Sequence, residues 1–280
     1  ETTAECRSIG MEGLAPERIF WEWEKLILRG DKPSKGLKFL KDTRWIRYFP
    51  ELEALQGCLQ DSKWHPEGDV WVHTLHSMDA FAAERLNDPW EDLVVGLAVL
   101  CHDLGKPEST VVTTEKIQAH GHERKGIPLT RTFLGRMVRQ KDLIDEVAVL
   151  VDEHMRPSIF YRDKSSDAAI RRLAARVGRI DRLVRVARAD VLGRPPLPEN
   201  PFPAGPWLLE QARRLNVSEE AAPNLVQGRD LIELGFPPGE RFKEILDRCY
   251  EAQMEGEITT LEDGKALVIR EFGEGLNSEN

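Results

Sequence analysis

The stretch Leu93-Val94-Val95-Gly96-Leu97-Ala98-Val99-Leu100-Cys101 carries no polar side chain apart from its closing thiol and runs directly into His102-Asp103. A helix that is apolar on every side must be buried, so other elements have to surround this one. The pattern predicts a central helix over about 90–103, and 280 residues suffice to enclose it in one large or two modest domains. Elsewhere the apolar residues recur with a helical period and strand alternation is scarce. The chain therefore reads as all-α.

From Pro16, the residues Ile19, Trp23, Leu26 and Ile27 form one stripe, with Pro at a first turn and Gly30 as a stop. A short helix follows from Pro33 through Leu37 and Leu40, and the aromatics of Trp45-Ile46-Arg47-Tyr48-Phe49 read as core. Pro66 and Gly68 punctuate a loop over 61–69 that delivers the chain into a helix bearing His73 and, one turn later on the same face, His76. After the central helix, 111–119 reads as a loop or short hairpin, and helices resume over 129–138 and 143–153, the second ending at His154. The segment 168–192 is helical with a break near Gly178. Proline density over 195–203 tolerates neither helix nor central strand and marks the clearest boundary. Three helices are expected beyond it, over 206–215, 228–234 and 239–254, and the last residues, 273–280, read as disordered. No internal repeat is visible.

Thirty-nine basic and forty-eight acidic residues give a net charge of −9, so the whole molecule is not an electrostatic binder of nucleic acid, and any such contact is local. Cys6, Cys58, Cys101 and Cys249 are isolated, without paired metal or redox spacing, which favours free thiols in a reducing cytoplasm. No apolar stretch reaches the roughly 18–20 residues of a membrane span, and no basic leader with an apolar core opens the chain, so the reading is soluble and cytoplasmic, with no membrane partner. The chain opens at Glu1 rather than Met, as a processed product or the tail of something longer would.

His102 and Asp103 stand where a helix is ending, so both can turn toward one cation. Matching ligands lie at His73, His122, His154 and Asp190. Any one helical histidine is ordinarily a core or surface residue, and the set as a whole is what points to metal. His73, His102, Asp103 and Asp190 make a four-ligand site with open positions, and His122 with His154 could add a second ion that shares Asp103 as a bridge. Imidazole and carboxylate ligands without thiolate suit a divalent metal such as Mn, Co, Ni, Fe or Zn, one ion or two. Such an ion acidifies bound water and offsets charge on phosphorus, which favours phosphoester hydrolysis. Lys106 and Arg194 are candidate phosphate clamps, although both also suit a helix C-terminus. Glu123 reads equally as an acceptor for a ligand histidine or as a surface charge. The arginines between Arg171 and Arg188 could track an RNA backbone, but they alternate with Leu173, Val177, Ile180, Leu183 and Val184, and a solvated face is the better reading.

The order His73, His102-Asp103, His122, His154, Asp190 resembles the HD superfamily of metal-dependent phosphohydrolases. Trp64-His65-Pro66-Glu67-Gly68-Asp69-Val70-Trp71, Cys101-His102-Asp103-Leu104-Gly105-Lys106-Pro107, Gly121-His122-Glu123 and Ala189-Asp190-Val191-Leu192-Gly193-Arg194 are similar to the HD portion of bacterial tRNA nucleotidyltransferases and poly(A) polymerases. Leu14-Ala15-Pro16-Glu17-Arg18-Ile19 resembles their neck, and Gly228-Arg229-Asp230-Leu231-Ile232-Glu233-Leu234-Gly235 their tail. The resemblance implies a helical neck over 1–60, an HD phosphohydrolase domain over 61–194, and a linker with a helical tail over 195–280. It also implies 2′,3′-cyclic phosphodiesterase and phosphatase activity on nucleotides or RNA ends, with tRNA as a partner. By the residues' own chemistry, metal-activated water is the expected nucleophile, Asp103 a ligand and proton acceptor, and Lys106 and Arg194 the groups that orient the substrate. His154 is followed by Met155 where related dinuclear enzymes often carry a second histidine.

The polymerase head of those proteins has a Gly-Gly turn and an Asp-x-Asp element, and this sequence contains neither. It therefore reads either as a stand-alone HD protein or as the C-terminal part of a longer polymerase. Two other functions stay open: an RNA-binding or scaffolding part of such a polymerase, and an HD hydrolase of 5′-nucleotides or signalling nucleotides. Oligomeric state is not legible.

Overall fold

The computed structural model describes residues 2–196 and 201–273. Part of the proline-rich boundary and nearly all of the tail read as disordered lie outside them. The elements are α1 (Thr2–Ser8), α2 (Pro16–Arg29), α3 (Pro33–Asp42), a 3-10 turn (Trp45–Tyr48), α4 (Pro50–Glu53), α5 (Val70–Ala83), α6 (Pro89–Cys101), α7 (Lys106–Ser109), β1 (Val111–Val112), β2 (Ile117–Gln118), α8 (His122–Gly135), α9 (Lys141–Glu153), α10 (Arg156–Asp163), α11 (Asp167–Val177), α12 (Ile180–Leu192), α13 (Ala204–Arg214), α14 (Gly228–Glu233), α15 (Arg241–Glu255) and α16 (Leu261–Phe272). The all-α reading holds, and β1 and β2 form one antiparallel hairpin with Val111 opposite Gln118. They divide into two compact units, one of residues up to 163 with 181–209, the other of 164–180 with the residues from 210 onward.

In the first unit α6 is the axis. Asp88 caps it by accepting from the amides of Trp90 and Glu91, Pro89 supplies the preset first turn, and every residue from Asp92 to Cys101 is buried. The helix packs against α2, α5 and α9. At Gly96 a Cβ would come within 2.4 Å of Ile27 and 2.8 Å of Phe81, so the missing side chain is what lets α2 and α5 close on the same point. The aromatics read as core behave so: Trp23, Phe49 and Phe133 meet edge to face, with centroids 5.2 to 5.9 Å apart.

One helix start and the face of one histidine differ from the sequence reading. The helix expected over 129–138 begins at His122, because Gly121 at φ +74° turns the chain in ahead of it. Pro128 lies inside that helix and leaves the carbonyl of Arg124 without its usual partner. His76 does not share the buried face of His73 and is exposed, since three residues rotate a helix only about 300°.

The second unit has its own core of Val226, Leu231, Phe236, Ile245, Cys249, Ala252, Ile258, Leu267 and Val268. Its last helix, α16, is an addition to the three expected beyond the proline-rich boundary. Thr260 accepts from the amide of Asp263, whose carboxylate accepts from the amides of Thr259 and Thr260 in return. Arg172 pairs with Glu251 and Glu255 on α15. All four cysteines are free thiols. Among the described residues, no helix is long and apolar enough to cross a membrane.

Candidate metal centre

The first unit gathers six side chains from five places in the sequence. His73 comes from the first turn of α5, which Asp69 caps by accepting from the amide of Val72. His102 and Asp103 come from the turn that ends α6, His122 opens α8, His154 follows α9, and Asp190 lies near the end of α12. All six are buried.

Their ring nitrogens are sorted by hydrogen bonding. Nδ1 of His102 lies 2.7 Å from the carbonyl of Val99, that of His122 2.8 Å from Ala119, and that of His154 2.7 Å from Val151. A carbonyl oxygen only accepts, so each of these nitrogens carries the proton and each Nε2 keeps a lone pair. Nδ1 of His73 donates in the same sense to Oε1 of Glu67, at 2.8 Å. The Nε2 atoms then face one another, His73 to His102 at 3.2 Å and His122 to His154 at 3.3 Å.

The carboxylates close the figure. Asp190 Oδ1 is 3.1 Å from His73 Nε2, Asp103 Oδ2 is 3.2 Å from His102 Nε2, and Asp103 Oδ1 is 3.3 Å from His122 Nε2. Two atoms each about 2.1 Å from one ion are separated by roughly 3.0 Å at a right angle and roughly 3.4 Å at a tetrahedral one. These separations, 3.1 to 3.3 Å, lie between those values, so the donor set fits a divalent ion. His73, His102 and Asp103 form one group able to hold a metal, and Asp103, His122 and His154 a second, with one carboxylate common to both. Oδ2 of Asp103 is buried without a well-directed hydrogen bond, and the Lys106 ammonium lies 2.7 Å from it.

Electrostatics agree with this chemistry. Burial alone would raise the carboxyls of Asp103 and Asp190, but His102 and Lys106 beside the first, and Arg194 with His73 beside the second, hold both well below the usual carboxylate range. Burial, together with His122 and His102, pushes His154 down to about 3, so it stays a neutral donor. His73 moves upward against its burial, because Asp190 and Glu67 both face it, so at its Nε2 a proton competes with an ion.

Lys106 is buried, with Nζ 2.7 Å from Asp103 Oδ2 and 2.6 Å from Gln60 Oε1. Arg194 reaches Asp190 Oδ1 at 2.5 Å through one terminal nitrogen, while its Nε is buried without a hydrogen-bond partner. Glu123 stands 3.5 Å from His122 Nδ1, but the carbonyl of Ala119 already takes that proton, so of its two readings the geometry favours the surface charge over the holder of this histidine. The arginines of α12 are likewise engaged: Arg182 with Glu91 and Glu146, Arg185 with Asp92, Arg188 with Glu84. They fasten the helix that carries Asp190. Sequence reasoning did not single out His65 and Glu67, which adjoin His73; their only signal was a place in the loop motif before α5.

Residues 71–192 match the family model of the HD domain. The match takes in His73, His102, Asp103, His122, His154 and Asp190. This part of the chain is an HD domain, which indicates a metal-dependent phosphohydrolase in general.

Proposed function

Taking the HD domain as premise, we propose that this chain hydrolyses phosphoesters of nucleotides or RNA ends, with 2′,3′-cyclic phosphates and terminal phosphates as substrates. The observation that carries the reading is the convergence of two buried carboxylates with four imidazole Nε2 lone pairs, each ring already fixed by a bond at its Nδ1. His73, His102, Asp103 and Asp190 would hold one divalent ion of the Mn, Co, Ni, Fe or Zn class, and Asp103, His122 and His154 would serve a second. An ion held there supplies Lewis acidity, acidifying water and offsetting charge on a phosphoryl oxygen.

The chain's own groups supply the rest. For a cyclic phosphate, the oxygen of water bonds to phosphorus and the bond to one ribose oxygen breaks. That oxygen ends with a proton from the water, and a monoester remains. Asp103 is ionised and buried, placed to accept the proton in transit. Lys106 can donate Nζ–H to a non-bridging oxygen, and the unpartnered Nε–H of Arg194 offers a second donor to the same group. Both cations already lean on Asp103 and Asp190, so they are fixed before a substrate arrives.

The likeness to tRNA nucleotidyltransferases and poly(A) polymerases favours an RNA end over a free nucleotide. It also supports the division into neck (1–60), HD domain (61–194) and tail (195–280) as a functional one, with tRNA as a partner. The test is hydrolysis of 2′,3′-cyclic AMP by the purified chain with Mn, Co, Ni or Mg, run beside Asp103→Ala, with 5′-nucleotides as the comparison panel. Metal-dependent turnover that Asp103→Ala lacks is expected. A folded, metal-loaded protein that turns over 5′-nucleotides but no cyclic phosphate refutes the substrate assignment, and one inert toward every phosphoester refutes the enzyme.

A further inference from the structure

Three of the four histidines at the centre are aimed by backbone carbonyls three residues earlier in the chain; His73 is aimed by a side chain. The carboxylate of Glu67 is fully buried, and its Oε1 receives Nδ1–H from His73 at 2.8 Å and Nδ1–H from His65 at 2.9 Å. The two rings stand nearly perpendicular, at 84° with centroids 5.0 Å apart. Oε2 has no hydrogen-bond partner.

Glu67 is set in a braced loop. The carboxylate of Asp69 accepts from the amides of Gly57 and Val72, the amide of Val70 donates to Cys58 O at 3.0 Å, and Gln60 Nε2 donates to Gly68 O at 3.3 Å. A buried carboxylate whose Oε1 takes two ring N–H groups, on a loop braced in this way, costs little to reorganise when its partner acquires a ligand. A carboxylate on the far nitrogen of a ligand imidazole fixes the tautomer, the ring plane and the basicity of the near nitrogen.

We infer that Glu67 is the positioning residue for His73, holding its Nε2 lone pair toward the metal centre, and that His65 is the outer anchor that keeps Glu67 in place. The inference rests on the metal reading of the centre given above. It assigns no contact with substrate to either residue. Removing Glu67 leaves His73 free to turn or to shift its proton to Nε2, and removing His65 takes one of two bonds from Glu67.

Divalent-ion affinity, measured by titration calorimetry with Mn²⁺ on the metal-stripped full chain, tests it. Glu67→Ala is expected to bind about 10–100-fold more weakly than wild type. Glu67→Gln keeps an acceptor oxygen without the charge and is expected to recover part of that loss, while His65→Ala loses only a few-fold. Melting of the metal-free proteins separates positioning from folding, since all three variants are expected to retain a cooperative transition. Glu67→Ala binding as tightly as wild type, or Glu67→Gln binding no better than Glu67→Ala, overturns the inference. A wild-type chain that takes up no divalent ion overturns the metal reading itself and this inference with it. That outcome is recognised by the absence of binding in every sample.

Discussion

Substituting Gly105 by Ala tests how closely the His-Asp turn must approach α8. The backbone at Gly105 is ordinary, φ −81° and ψ −10°, so alanine is free of strain there and stiffens the unfolded chain by about 0.4–1 kcal/mol. Against this, the added Cβ would lie 2.0 Å from the carbonyl oxygen of His122 and 2.6 Å from the amide of Gly126. Both are main-chain atoms of α8, unable to swing aside as a side-chain tip would. To open the first contact to the 3.0 Å limit, the turn and the helix must part by 1.0 Å (3.0 − 2.0). Overpacking of this kind costs about 1–3 kcal/mol, leaving a net loss of roughly 1–2 kcal/mol and a melting point lower by roughly 3–6 °C. The same displacement pulls His122 from Asp103, now 3.3 Å apart, and a shift of ~1 Å at a reacting centre costs on the order of 100-fold in rate. Thermal unfolding of the metal-free protein and initial rates on the best phosphoester read the two effects. Gly135→Ala is the control, because a Cβ there meets nothing within 4 Å. Gly105→Ala melting and turning over like wild type would refute the reasoning.

Other consequences are as direct. Phe133→Ala empties the junction with Trp23 and Phe49 and should cost about 3–5 kcal/mol, read as a lower urea midpoint at unchanged slope. Chelation should lower the melting point, because an ion at a hundredfold excess over its Kd stabilises by about 2.7 kcal/mol; Asp103→Asn should abolish that increment. The Asp263 carboxyl lies below its ordinary 3.8 because the Thr259 backbone, the Thr260 side chain and the Thr260 backbone bond it. A folded pKa below the unfolded one stabilises fully above 3.8 and loses its effect as pH falls through the folded value. Amide exchange in α16 should therefore rise on acidification below pH 3.8, and Asp263→Asn should remove that dependence.

The sequence made the helices legible where burial is one-sided or complete, as in α2 and α6, because the apolar pattern is itself the cause of the packing. It was less legible where a backbone conformation decides. Nothing in the composition of α8 says that Gly121 takes φ +74° and starts the helix early, or that Pro128 can be accommodated within it. At the centre, the fold brings together the six residues read from type and order alone. Glu67 was not read as part of it, because its bond to His73 spans six positions across a turn whose shape depends on Asp69, Gln60 and Gly68. The arginines of α12 were weighed as an RNA track or a solvated face; their partners lie up to 104 positions away, a distance over which no local pattern speaks.

Because His102, His122 and His154 are oriented by carbonyls of their own helix ends or turns, their aim is written into the main chain and survives exchange of almost any neighbouring side chain. His73 alone depends on a replaceable residue. A centre built this way has three fixed spokes and one adjustable one. Drift or engineering that retunes ion preference would meet least resistance in the loop before α5, and most in the helices that form the frame.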